Sequence, residues 1–370
     1  MKIIHVIPNL RKGGAERLVT DIVRELNTRS NTQGRLVIFH DLFEYNTSDI
    51  KHLIEVIPAS VQLSVLKKNI YNIAELQQYI NDFEPDIIHS HLFEAEIVSR
   101  SFTYPKAHWF SHFHDNMVQF ENFSLKTVLN KTKLTNYFEK RTLFKNYKKN
   151  GGNTFIAISK DSFKYAKNTC GNYPVIHLPN AINYDKFYAP ISNEIKKIKI
   201  VNVGSFVSKK NQRFLVDIGF ELYKQNIDFE VHFLGDGELR GRIEQEVNAL
   251  SLSKYFCFHG NVNEVENHLK EANIYVHTAN YEPFGLVLLE AMAAGLPVVA
   301  LDGGGNRDLI EQGKNGFIFK EQDATVFADA IIQLGQEKEL YEQIATNGQN
   351  FAKNYDIKNY VDKLLAIYQA

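Results

Sequence analysis

The stretch Glu282-Pro283-Phe284-Gly285-Leu286-Val287-Leu288-Leu289-Glu290-Ala291-Met292-Ala293-Ala294-Gly295-Leu296-Pro297-Val298-Val299-Ala300 decides how the rest of the chain is read. Its Ala and Leu residues favour a helix over 285–294, Gly295 suits the residue that caps it, and Pro297 forbids its continuation. The helix carries almost no polar side chain, so it must be largely buried. A short apolar strand candidate at 297–301 comes directly after it. A buried helix running into a buried strand is one step of a βαβ rhythm.

The same rhythm extends outward in both directions. Ahead of the helix, strands are expected at 198–203, 229–234 and 274–277, and behind it at 316–319, with helices over 212–223 and 239–250 between them. The first half has its own set: strands at 2–7, 36–40, 86–89, 108–114, 154–158 and 175–178. Ala15, Leu18, Val19, Ile22, Val23 and Leu26 recur at helical spacing and form one buried stripe after the first strand. Residues 181–197 carry Pro190, scattered charge and no period, and read as a linker. The expected division is 1–180, the linker 181–197, 198–352, and a closing helix within 353–370.

A chain of 370 residues suits two domains of roughly 150–200 residues each. Hydrophobic residues at 44 % and charged residues at 23 % are ordinary for a folded protein, and a net charge of -1 argues against nucleic acid held by overall positive charge. Cys170 and Cys257 stand far apart with no metal-ligand companions, which suits a reducing compartment. No apolar run approaches the roughly 20 residues of a membrane span, and 1–8 is too short for a signal-peptide core. The expected place is the cytoplasm, with peripheral contact on the inner face of the cell membrane.

Several residues promise chemistry. Glu290 sits inside an apolar helix, where a lone carboxylate costs several kcal/mol unless something pairs with it. A ribose diol would serve, and so would an arginine of the same domain. Glu282 precedes the helix, where N–H groups of Phe284, Gly285 and Leu286 face outward. Gly13-Gly14-Ala15-Glu16-Arg17 joins the first strand to the first helix; such a turn either lets the backbone approach a diphosphate or is a tight turn and no more. Gly204-Ser205 with Lys209-Lys210 repeats the arrangement, Lys210 being the candidate to meet phosphate charge and a solvated lysine pair the plain alternative. His112 and His114 share one side of a strand end, with His89 and His91 on another.

The segment around Glu282 and Glu290 resembles the E-x7-E motif of the retaining glycosyltransferases of family four. Leu178-Pro179-Asn180-Ala181, Phe233-Leu234-Gly235-Asp236-Gly237, His259-Gly260-Asn261-Val262 and Gly303-Gly304-Gly305 with Asp308 agree in order. The resemblance implies an α/β protein of GT-B architecture, two Rossmann-like parallel-sheet domains facing a central cleft. It implies that Glu290 holds the nucleotide ribose, Glu282 lies near the donor sugar, and Phe284, Gly285 and Leu286 offer backbone contacts. Lys210 would grip the diphosphate, Gly14 would let the first loop close, Asn261 and Val262 would bound the base, and His114 would touch the sugar near the reacting carbon. Ser205 stands where the family usually has arginine, which leaves the phosphate charge to Lys210, with Lys209 beside it.

The implied reaction moves a hexosyl unit, with retention, from a UDP- or GDP-type sugar to a glycan or lipid-linked acceptor in cell-envelope polysaccharide synthesis. Inverting transfer, sugar-nucleotide epimerisation and non-catalytic nucleotide-sugar binding stand beside it. No Asp-x-Asp motif appears and no carboxylate joins the histidine pairs, so neither metal nor cofactor is expected. From 123 to 150, Lys126, Lys131, Lys133, Lys140, Arg141, Lys145, Lys148 and Lys149 interleave with apolar residues, as in a helix lying on an anionic membrane or an ordinary surface helix.

Overall fold

In the computed structural model, residues 1–64, 67–124, 130–191 and 195–370 are described. The chain divides into two compact units, Met1–Asn180 with Ile357–Ala370, and Ala181–Asp356.

The first unit is built on strands β1 (Lys2–Ile7), β2 (Gln33–Ile38), β3 (Ile54–Val56), β6 (Ile87–His91), β7 (His108–Phe113), β8 (Thr154–Ala157) and β9 (Val175–His177). They lie in the order β3-β2-β1-β6-β7-β8-β9, all parallel, while β4 (Ser60–Gln62) and β5 (Ile70–Asn72) form a separate antiparallel pair. The helices of this unit are α1 (Gly14–Leu26), α2 (Ala74–Phe83), α3 (Phe93–Ser99), α4 (Lys131–Lys149), α5 (Lys160–Thr169) and, from the end of the chain, α13 (Ile357–Gln369). Leu18, Val19, Ile22, Val23 and Leu26 are the buried stripe of α1, as the spacing predicts. On the α3 side, Arg100 is buried with Glu96: its Nη2 donates to Asn153 Oδ1 at 2.6 Å, and Glu96 Oε1 accepts from Tyr147 Oη at 2.6 Å and Ser111 Oγ at 2.7 Å. A buried charge needs such partners.

The second unit holds β10 (Ile198–Val203), β11 (Phe229–Leu234), β12 (Phe256–Gly260), β13 (Ile274–His277), β14 (Val298–Leu301) and β15 (Phe317–Phe319). Their order, β12-β11-β10-β13-β14-β15, is again wholly parallel. In sequence terms that is 3-2-1-4-5-6, the Rossmann order, which reverses direction between β10 and β13. Its helices are α6 (Tyr184–Phe187), α7 (Arg213–Lys224), α8 (Arg240–Ala249), α9 (Val265–Glu271), α10 (Leu286–Ala293), α11 (Ala324–Gln336) and α12 (Lys338–Lys353). All of α10 but Val287 is buried, and Gly295 takes the left-handed conformation at φ 77° just past its end.

The two parallel sheets are the α/β class expected. Residues 181–191 and 195–197 fall inside the second unit: Tyr184 and Phe187 are buried, and α6 packs on α9 and α10. The closing helix, α13, belongs to the first unit and packs on α1.

Candidate functional site

Ligands of open parallel sheets bind beyond the carboxyl ends of the strands, where the order reverses. In the second unit that point lies between the loops after β10 and β13. The two loops are tied together: Thr278 Oγ1 donates to Lys210 O at 3.0 Å, and Asn280 N donates to Lys209 O at 2.9 Å. A turn after β14 fixes the next residue, since Glu282 N donates to Gly303 O at 2.8 Å and Gly305 N donates to Glu282 O at 2.9 Å. The approach is so close that a Cβ on Gly305 would stand 1.8 Å from Pro283 O.

These ties bring three side chains together. Lys210 Nζ donates to Glu282 Oε2 at 2.6 Å, and His277 Nε2 lies 3.2 Å from the same oxygen. Burial alone would raise the Glu282 carboxyl, but the Lys210 ammonium, with His277, outweighs it and holds the acid well below the usual carboxylate range. Burial lowers His277, with Glu282 pulling the other way. The result is an ionised acid beside a lysine that is itself partly open to solvent, with 22 % of its side chain exposed. A lysine so placed can meet an arriving anion without leaving its partner.

Around this pair stand other sequence-predicted residues. Gly285, at φ 100°, turns the chain into α10, and a Cβ there would meet Leu288 Cδ1 at 2.7 Å. Phe284 and Leu286 are buried beside it. Glu290 is wholly buried on α10 and close enough to Tyr275, on β13, to help raise that phenol, an effect led by burial and followed by Glu282. Ser205 is exposed in the loop after β10, where its carbonyl accepts from Gln212 Nε2 at 3.0 Å. Asn261 and Val262 directly follow β12. His277 was not singled out from sequence; a lone histidine at a strand end carries no signal until β13 is placed beside β10.

Gly14 and His114 belong to the first unit. Gly14 opens α1, and Tyr45 Oη brackets Gly13 by accepting from its N–H at 2.9 Å and donating to its carbonyl at 2.8 Å. Glu16 folds back over Gly13, so the start of α1 already holds a carboxylate, which burial raises. His114 lies just past β7, its ring 4.3 Å from that of His112. With them stand His89, His91 and His5, all on one face of the sheet.

Residues 186–351 match the family Glycosyl transferases group 1. Among relatives, the chain is 26 % identical over 237 residues to an uncharacterized glycosyltransferase of Methanocaldococcus jannaschii, 64 % of either chain. It is 24 % identical over 204 residues to a UDP-Gal:alpha-D-GlcNAc-diphosphoundecaprenol alpha-1,3-galactosyltransferase of Escherichia coli, 52 % of this chain and 53 % of that one. These matches span between about half and two thirds of the relatives' own lengths. The crystal structure of HepE from Anabaena in complex with UDP covers 100 % of both chains with a TM-score of 0.78 and 21 % identity, a likeness of fold. The fold class is GT-B, two Rossmann-like units in one chain.

Lys210, Glu282, Gly285 and Glu290 all fall within the matched residues. The basic stretch lies in the first unit and is partly outside the described residues, which omit Leu125, Lys126 and Leu129. In α4, Leu143 and Tyr147 are buried, and Lys140 Nζ donates to Phe120 O at 2.7 Å. Lys131, Lys133, Arg141, Lys145, Lys148 and Lys149 are exposed. Among the described residues, no helix is long and apolar enough to cross a membrane.

Proposed function

We propose that the chain is a glycosyltransferase that moves a hexosyl unit, with retention and without a metal in the transfer step, from a nucleotide diphosphate sugar to a glycan or lipid-linked acceptor. The observation that carries this reading is the Lys210–Glu282 pair, 2.6 Å apart where the sheet order reverses, inside the family-matched domain. Lys210 neutralises charge on the departing diphosphate, the electrostatic role that lowers such barriers most. Glu282 orients Lys210 and accepts from sugar hydroxyls. Backbone N–H groups of Phe284, Gly285 and Leu286 hold the donor, Glu290 meets the ribose, and Asn261 and Val262 bound the base. Gly14 leaves room for the first-unit loop at the phosphates, Ser205 lends it a hydroxyl, and His114 faces the sugar.

UDP is the favoured nucleotide, since HepE was crystallised with it and the Escherichia coli relative is named for UDP-Gal. That same name carries a diphosphoundecaprenol acceptor, which supports a lipid-linked substrate and a place on the inner face of the cell membrane. The test is release of nucleotide diphosphate in the presence of an acceptor. Lys210→Ala is expected to lower kcat about 100-fold or more. Donor binding that persists in the wild type without any turnover would point to a binding protein instead, and the anomeric configuration of the product separates retention from inversion.

A further inference from the structure

One buried polar atom is left over beside the Lys210–Glu282 pair of the second unit. His277 Nε2 is closed off from solvent and completes no hydrogen bond among the described residues, although it lies 3.2 Å from Glu282 Oε2. That oxygen already accepts from Lys210 Nζ at 2.6 Å. A buried donor left without a partner costs the desolvation of that donor, so each such atom calls for an explanation. Here the acceptor it needs is already at hand and is held by another cation.

The surroundings of the ring place its proton. Burial lowers His277, so the imidazole is neutral and carries a single N–H. Nε2 faces a carboxylate, which only accepts, and Nδ1 lies 3.3 Å from Tyr275 Oη, which can donate. The proton therefore sits on Nε2, and Nδ1 accepts from Tyr275. In this way β13 holds a neutral N–H against the acid, next to the ammonium of Lys210.

In the free chain Lys210 neutralises Glu282, and the histidine is not needed for that. The need arises when Lys210 meets an anion. Diphosphate charge beside the same ammonium weakens its hold on Glu282, and a second negative group near a buried carboxylate disfavours the ionised form. The groups that face Glu282 are Lys210 from the loop after β10 and His277 from β13, while Tyr275 of β13 lies within reach of both Glu282 and Glu290 of α10. We propose that His277 is a positioning residue, which gives its Nε2–H to Glu282 Oε2 when the diphosphate of a nucleotide sugar shares the Lys210 ammonium, and so keeps Glu282 a carboxylate aimed at the donor. This role rests on the reading of Lys210 as the lysine that meets the diphosphate. A small turn of the Glu282 carboxylate completes the bond, since the two atoms already stand 3.2 Å apart. With an apolar residue at 277, Glu282 keeps only burial and a shared cation, and it takes up a proton as the nucleotide binds.

Calorimetric titration of the full chain with UDP, from about pH 8 to about pH 5, separates this role from a merely structural one. His277→Leu is expected to weaken UDP binding about 10-fold or more near pH 8, the loss of a hydrogen bond to a charged group. The deficit shrinks as pH falls, because Glu282 in that variant's complex takes up a proton in place of the missing donor. His277→Gln keeps an N–H close to the position of Nε2 and does not titrate, so it binds within about threefold of the wild type at every pH. The proton on UDP itself is common to all the proteins and drops out of the ratio between them. Melting of each free variant is recorded first, and His277→Phe stands in for His277→Leu if the leucine chain melts early. Unchanged affinity in His277→Leu, a deficit constant with pH, or an equal loss in His277→Gln overturns the role of His277, while UDP binding by the wild type keeps the donor reading. A wild-type chain that binds no UDP overturns both.

Discussion

Lys210 Nζ donates to Glu282 Oε2 at 2.6 Å across 72 residues of sequence, and the backbone around both residues is tied before the side chains meet. Lys210 is fixed through its carbonyl to Thr278, and Glu282 through its N–H and carbonyl to Gly303 and Gly305. The ion pair is therefore held in place by three loops and needs no ligand to form.

That preformed pair predicts a pH signature. Glu282 is held well below its ordinary value of 4.5 in the folded chain, so the unfolded chain binds more protons as pH falls below 4.5. Its contribution to stability is full above pH 4.5 and is lost progressively as pH falls toward the folded value. Lys210→Met removes the main opposing charge and leaves burial to raise the carboxyl. The variant is expected to be less stable by about 3 kcal/mol near neutral pH, the cost of stranding a buried charge. The gap between variant and wild type narrows as pH falls from 4.5 toward 3. Urea titrations across that range measure it, and a gap independent of pH would mean that Glu282 is not held by Lys210.

Gly305 gives a second prediction. Its missing Cβ is what lets the turn after β14 lie against Pro283, where an added carbon would stand 1.8 Å from a backbone oxygen. Neither atom belongs to a flexible side chain, so Gly305→Ala must move the turn that holds Glu282. A loss of about 1–3 kcal/mol is expected, as for other overpacked sites. Glu282 and Lys210 shift with it, so donor binding falls more than folding does. Calorimetric melting paired with nucleotide-sugar titration checks both, and an alanine variant with unchanged donor affinity would show that the turn does not set the site.

How far these features were legible depends on the kind of signal each left in the sequence. Residues 2–7, 198–203, 229–234 and 274–277 are strands at the bounds expected, because continuous apolar runs between turn residues read plainly in a parallel sheet. In the first unit β2, β6, β7, β8 and β9 were found with their ends displaced by a few residues. β12 was missed, since Phe256-Cys257-Phe258-His259-Gly260 sits at the sheet edge with its three inner residues at least partly open, and β3, β4 and β5 have only three residues each. Residues 181–197 lack a period, yet Tyr184 and Phe187 are anchored by tertiary burial, which no local pattern announces. In the candidate site, glycines, Lys210 and Glu282 stood out by position in loops. The gathering of His5 with His89 and His91 depended on the register of β1 against β6, which periodicity does not give.

The basic helix supplies the last prediction, and the structure changes which residues test it. Lys140 looks from sequence like one of the charges that would face a membrane, but its ammonium is spent on Phe120 O and Asn122 Oδ1. Leu143 and Tyr147 are likewise committed to the core of the first unit. Among the charges that α4 leaves outward are Arg141, Lys145 and Lys148, while Val118 and Phe123 nearby are more than half exposed. Each basic residue near an anionic surface contributes about 1 kcal/mol. Reversing Arg141, Lys145 and Lys148 to glutamate is expected to weaken binding to anionic liposomes roughly 100-fold or more at low salt, with the melting temperature unchanged. Raising the ionic strength has the same effect on the wild type, since these charges are exposed and screened. Lys140→Glu lowers the melting temperature instead, because it breaks the tie to Phe120. Sedimentation with vesicles reads the first effect and calorimetry the second; a wild-type chain that stays in solution with anionic vesicles at low salt removes the membrane from the proposal.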